Sequence, residues 1–268
     1  MRIRRHEIAA SETEILEMTE DLDQMHNDHG VPALQTSMAE WHDQIRSRTN
    51  KPTTRRTFLL GVGGAVAGAG VLAVVGGTPG LAAAATSASV TPATSGNPEA
   101  GLTGDLAVAA LAASLENLAI YTYQSAISAA TAGKLGTVPP AVVTFAQTAL
   151  SQHTSHAAAW NSLLTGSGKK AVTVTDPKLT PTVQTAFGKV TNVTELGELA
   201  LMLENIAAQT YQAEASMLKS KKAIQVASTI APVEMQHAAI LYFVLGMYPG
   251  AQTASGTPLA FNPTSMAA

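Results

Sequence analysis

Leu115-Glu116-Asn117-Leu118-Ala119 returns later in the chain as Leu203-Glu204-Asn205-Ile206-Ala207, and the likeness runs on to Thr122-Tyr123-Gln124 and Thr210-Tyr211-Gln212. A second correspondence joins His153-x-x-His156-Ala157-Ala158-Ala159 to Glu234-x-x-His237-Ala238-Ala239-Ile240. In all four stretches the apolar residues recur at the spacing of a helix face. A repeat of this kind predicts two similar helical hairpins packed about a pseudo-twofold axis, with residues at equivalent positions converging on it.

Working outward, residues 105–132 are rich in Ala and Leu without proline, and a turn follows at 133–140, where Pro139-Pro140 suits the opening of a second helix. That helix is expected over 140–164, ending at Gly166 and Gly168. A long connection, 169–193, is broken by Pro177 and Pro181 and carries one short helix near 183–190. A third helix begins near Thr194 and reaches the cluster Lys219, Lys221 and Lys222; a fourth covers 223–245 and closes at Gly246. Two short links and one long one predict an all-α fold, a four-helix bundle of two αα-hairpins joined by a crossover.

Composition narrows the chemistry. The chain has 268 residues, 46% hydrophobic, 13% charged and 4% aromatic, with a net charge of −3 and no cysteine. The absence of cysteine excludes a disulfide scaffold, a thiolate metal site and a cysteine nucleophile. No basic footprint for nucleic acid is present. Nor is there a glycine-rich phosphate loop, a nucleophile elbow or a hydrolase triad. Charge is placed unevenly: every arginine lies at or before Arg56, while past Ala85 the histidines are only His153, His156 and His237. The chain therefore divides into a polar extension (1–53), an apolar leader (54–85), a Thr/Ser/Pro-rich tether (86–103), the bundle (104–247) and an irregular tail (248–268).

Glu116 and Glu204 each sit in apolar helices, where a carboxylate is costly to bury unless it is paired or bound to a cation. His153 and His156 share a helix face, as do Glu234 and His237. The bundle would gather Glu116, His153, His156, Glu204, Glu234 and His237. Oxygen and imidazole donors without thiolate suit iron, manganese or zinc. The competing reading is a bundle in which these glutamates and histidines pair across the core without metal.

These four helices in this order resemble the ferritin-like superfamily, specifically its exported bacterial members. The resemblance implies a di-metal site with one Glu from each of two helices and a Glu-x-x-His from each of the others. Glu116 and Glu204 match the single glutamates, Glu234 and His237 one Glu-x-x-His, and His156 the other histidine. His153 departs from the pattern, standing where it calls for glutamate. That departure leaves a di-iron pair, a mononuclear iron, manganese and zinc all open. Gln152, Tyr123 and Tyr211 are the candidates to support the ligands, and Pro232 is expected to disturb the fourth helix near Glu234. The function implied is a metal-dependent oxidoreductase acting on dioxygen or peroxide. The alternative is a non-enzymatic scaffold of the cell envelope with a degenerate or zinc-filled site, its low charge favouring a homo-oligomer.

Thr54-Arg55-Arg56-Thr57-Phe58-Leu59-Leu60 resembles a twin-arginine export signal, followed by a glycine-rich apolar stretch and Leu81-Ala82-Ala83-Ala84-Ala85. The resemblance implies passage through the twin-arginine translocation machinery and cleavage near Ala83 to Ala85; an uncleaved membrane anchor is the alternative. Before it, one amphipathic helix is expected over 11–25, with Ile15, Met18, Leu22 and Met25 on one face. No spacing of His26, Asp28, His29 and His42 closes a metal site, so these are read as solvated, and a stretch this short is too small to bury a core of its own.

Overall fold

The computed structural model describes residues 10–49, 90–93 and 95–247. The leader at 54–85 and the tail at 248–268 lie outside them. In chain order the elements are α1 (Glu12–Met25), a π-helical turn (His26–Gly30), α2 (Val31–Thr49), α3 (Asp105–Thr131), α4 (Pro140–Gly166), α5 (Thr180–Phe187), α6 (Val193–Ala215) and α7 (Lys221–Val244). Among the described residues no strand forms beyond an isolated bridge between Thr91 and Val174. The fold is all-α, with α3–α4 and α6–α7 as the two hairpins and α5 on the crossover.

Local chemistry sets the ends. Pro140 opens α4 from its first turn, where a missing N–H costs nothing. Asn192 caps α6 by accepting the Glu195 amide at 3.0 Å. The third bundle helix stops at Ala215, short of the lysines where it was expected to end. The Asp105 carboxylate explains this: it accepts the backbone N–H groups of Lys219 (2.9 Å) and Ser220 (2.8 Å), which holds the turn. Ser220 then caps α7. The short crossover helix starts earlier than expected because Pro181 lies in its first turn, opening it rather than breaking it.

Two apolar clusters fill the bundle. One contains Trp160, Leu163, Leu164, Val226 and Ile230 with the alanines of α3; the other contains Tyr123, Phe145, Leu201, Val233 and Leu241. Every bundle helix crosses from one to the other, and the polar residues Glu116, His153, His156, Glu204, Glu234 and His237 fall at the crossing.

The extension is where expectation and structure part. Both α1 and α2 lie across α4 and α7. Ser11 and Glu14 form a capping box that starts α1, with the Ser11 amide 2.9 Å from Glu14 Oε2. Ile15 and Leu22 then enter the Phe145 cluster, and Leu34 enters the Trp160 cluster. The extension is indeed too short for a core of its own, but it needs none, since it completes the bundle's. The tether is also partly pinned: the Thr91 amide donates to Thr173 O at 3.1 Å and the Ala93 amide to Thr175 Oγ1 at 2.8 Å.

Candidate metal centre

Six side chains converge where the hairpins meet: Glu116 from α3, His153 and His156 from α4, Glu204 from α6, and Glu234 and His237 from α7. All are at most 3% exposed. They form two overlapping donor groups, Glu116–His153–His156–Glu234 and His153–Glu204–Glu234–His237, each with its donor atoms within 4.8 Å of one another. His153 and Glu234 belong to both. The centre therefore has two halves sharing a middle.

The first half holds His156 Nδ1 at 2.9 Å from Glu234 Oε1 and 3.6 Å from Glu116 Oε2. The second holds His237 Nδ1 at 3.3 Å from Glu204 Oε2 and 3.4 Å from Glu234 Oε2. His153 spans them, Nδ1 lying 2.8 Å from Glu116 Oε2 and Nε2 lying 3.3 Å from Glu204 Oε1. Each single glutamate is steadied by a tyrosine of the opposite hairpin. Tyr123 donates to Glu204 Oε1 at 2.5 Å, and Tyr211 makes a short bond to Glu116 Oε1 while accepting Trp160 Nε1–H at 2.8 Å. In Glu116 this occupies Oε1 and leaves Oε2 facing the histidines; in Glu204 the tyrosine shares Oε1 with His153, and Oε2 faces His237. Gln152 Oε1 lies 2.8 Å from His237 Nε2, so that nitrogen donates its proton outward and Nδ1 is the atom turned to the centre.

Other buried polar atoms go without partners. Both oxygens of Glu234 and both ring nitrogens of His156 are buried without a hydrogen bond; the 2.9 Å approach of the two residues lacks hydrogen-bond geometry. Such groups cost on the order of 1–3 kcal/mol each, and more for a charged one. A cation between them would remove that cost, so the donor set fits a metal ion.

Without metal the centre behaves as an ion-pair network. Burial opposes charge on His156, yet Glu116 and Glu234 lift its pKa to about 9. Burial would raise Glu116, but His156 and His153 bring it down to about 2. Burial opposes charge on His153 as well, and Glu234 and Glu204 override it, holding the ring well above the usual histidine range. Tyr123 and Tyr211 are pushed up by burial and by the glutamates they contact, and stay protonated donors.

Two small cavities flank His153. One of about 80 Å³ reaches His153 and Glu204 between walls of Leu118, Phe145, Leu196 and Leu203. One of about 30 Å³ reaches Glu116 and His153 beside Leu111, Trp160 and Tyr211. Both are lined almost wholly by apolar groups.

One residue read from the sequence as solvated lies beside the centre instead. His26, expected in solvent, is 4% exposed, and its ring packs edge-on to His156 with centroids 5.4 Å apart. Burial, then the nearby His156, His237 and His153, lower its pKa to about 3, so it is neutral. The signal was present: Ile15, Leu22 and His26 lie on one face of a continuous helix. His29 and Asp28 are exposed; the side chain of His42 is outside the described set. Conversely, the repeated asparagines beside Glu116 and Glu204 stay out of the centre. Asn117 Nδ2 donates to Val172 O at 3.0 Å and Val174 O at 3.1 Å, fixing the crossover, and Asn205 Nδ2 donates to Leu201 O at 2.9 Å.

A family model described as the ferritin-like domain matches residues 104–247. No match was found among curated proteins or solved structures.

Proposed function

We propose that this chain, which belongs to the ferritin-like domain family, holds iron or manganese in its Glu/His centre and acts on dioxygen or peroxide as an exported oxidoreductase. The observation that carries the reading is Glu234: a carboxylate with 0% exposure and no hydrogen bond to either oxygen, one facing His156 and the other His237. Glu116 and His156 would hold one ion, Glu204 and His237 a second, with Glu234 and His153 between them. Bound there, such ions supply redox and Lewis-acid chemistry toward a small oxidant.

The chain's own residues have separable tasks. The carboxylates would offset the metal charge, and each tyrosine hydroxyl holds one oxygen of Glu116 or Glu204 in place so that the other stays available. Gln152 fixes the tautomer of His237. The apolar cavities favour a small uncharged reactant over an ionic one. The twin-arginine resemblance supports export of the folded, loaded protein through that machinery.

A second reading has one specific observation in its favour. As an imidazolium, His153 would satisfy Glu116 through Nδ1 and Glu204 through Nε2 with no metal at all. The resulting chain would be a non-enzymatic envelope scaffold. Elemental analysis of the full-length chain, beside His156→Ala and Glu204→Ala, separates the two. Near-stoichiometric iron or manganese that falls in both variants supports the first reading; wild-type chain without metal removes it.

A further inference from the structure

The repeat has a gap, and the extension fills it. Aligning His153-x-x-His156 with Glu234-x-x-His237 places Gln152 opposite Val233. Gln152 accepts the Nε2 proton of His237 at 2.8 Å. By pseudo-symmetry the residue that should accept from His156 is at 233, and valine has no acceptor. The bundle thus leaves His156 Nε2 buried and unpartnered.

His26 stands at that place. Its Nε2 is also buried and unpartnered, and its ring is packed edge-on to that of His156. The turn that carries it is built for the purpose. A π-helical stretch, His26–Gly30, interrupts α1–α2 at this point. Gly30 makes room beside the ring: a Cβ there would lie 3.3 Å from His26 Cδ2, tighter than a side chain normally tolerates. Ile15 and Leu22 on one side and Leu34 on the other anchor the two helices in the bundle's own core.

We propose that His26 is the positioning residue for His156, its Nε2 lone pair accepting the His156 Nε2 proton through one bridging water, since no direct bond joins the two nitrogens. His156 Nδ1 is then left facing Glu116 and Glu234, as Gln152 leaves His237 Nδ1 facing Glu204 and Glu234. Residues 10–49 are on this account a cap that completes one half of the metal centre from outside the ferritin-like domain. The inference rests on the metal reading above.

The test uses the full-length chain, loaded with cobalt(II) alone, and three proteins: wild type, His26→Phe, which keeps a ring but loses the acceptor, and His26→Gln, which restores an acceptor. Cobalt release into excess chelator is timed. The exchangeable ring N–H resonances shifted by the bound ion are recorded by NMR, and thermal unfolding of the metal-free proteins monitors packing. Loss of an outer hydrogen-bond partner of a metal-bound histidine typically costs 10–100-fold. His26→Phe should therefore release cobalt about 10–100-fold faster from one half and lose one protected N–H signal, with His26→Gln close to wild type in both. Release by His26→Phe within twofold of wild type overturns the inference and leaves the metal reading standing. So does a His26→Gln variant as fast as His26→Phe, which would make the ring mere packing. Wild-type chain that takes up no cobalt overturns both.

Discussion

In one half of the centre His237 gives its outer proton to Gln152, a neighbour on the facing hairpin; in the other, His156 has only Val233 at the equivalent place and meets His26 from a different part of the chain. The donors that face inward follow the repeat closely, down to a tyrosine of each hairpin bonding the glutamate of the other. What stands behind them does not. The lesson is that internal symmetry in a binding centre is a property of its inner atoms, while support is recruited from whatever lies nearby. Half of this centre is self-contained within the bundle, and half depends on the extension.

The largest effect should come where the halves join. Glu234→Ala removes an oxygen from both, so metal content per chain should fall to near zero by elemental analysis, whereas Glu204→Ala should spare the Glu116–His156 half. Equal losses in the two variants would break the description into halves. Next, Leu22→Ala should cost about 2–5 kcal/mol in chemical denaturation, the usual range for emptying a buried leucine site. By loosening α1 it should also speed metal release from the His156 half alone. The mirror experiment is Gln152→Leu, which should weaken the His237 half about 10–100-fold in metal affinity and leave the His156 half unchanged. If Leu22→Ala and Gln152→Leu disturbed the same half, the comparison would be wrong.

A smaller effect is set by pH. In the metal-free protein the His156 pKa is raised to about 9, so its contribution to stability is full below about 6.5 and is lost as pH rises through 9. Glu116, lowered to about 2, contributes above about 4.5 and loses that contribution as pH falls through 2. His26, lowered to about 3, works in the same direction on the acid side, because its buried neutral ring penalises folding increasingly below about 6.5. Metal-free stability should therefore decline between about pH 6.5 and 9, and metal affinity should rise over that interval as His156 gives up its proton. Denaturation midpoints in chelator, followed across that range, check the first; a shallower decline in His156→Gln identifies the share of that group.

Much of the fold was readable because its signals are local. Helical periodicity, Pro140 at a helix start and the paired motifs each need only neighbouring residues to be recognised. The convergence of the six donors was readable too, since the repeat supplies the symmetry that brings them together. The partners of Tyr123 and Tyr211 were not. Each lies on the same helix face as a glutamate of its own helix, yet bonds the glutamate of the other hairpin, and spacing along one helix carries no information about that choice. Docking of the extension was the least readable feature. Its buried apolar anchors, Ile15, Leu22 and Leu34, find their place only because the bundle already offers a partly built core. In isolation they look like the thin apolar stripe of a surface helix. Histidine spacing alone closes no site around His26; only its place on that stripe marks it for burial.

The order of parts along the chain has a consequence of its own. The second helix of the cap ends at Thr49, the bundle begins at Asp105, and the arginine pair Arg55-Arg56 lies between. Joined in one chain, His26 meets His156 as an intramolecular event. A cut anywhere between the two would turn that meeting into a bimolecular one, held only by the contacts of the cap itself. Cut and uncut molecules would then differ in the chemistry around a single imidazole.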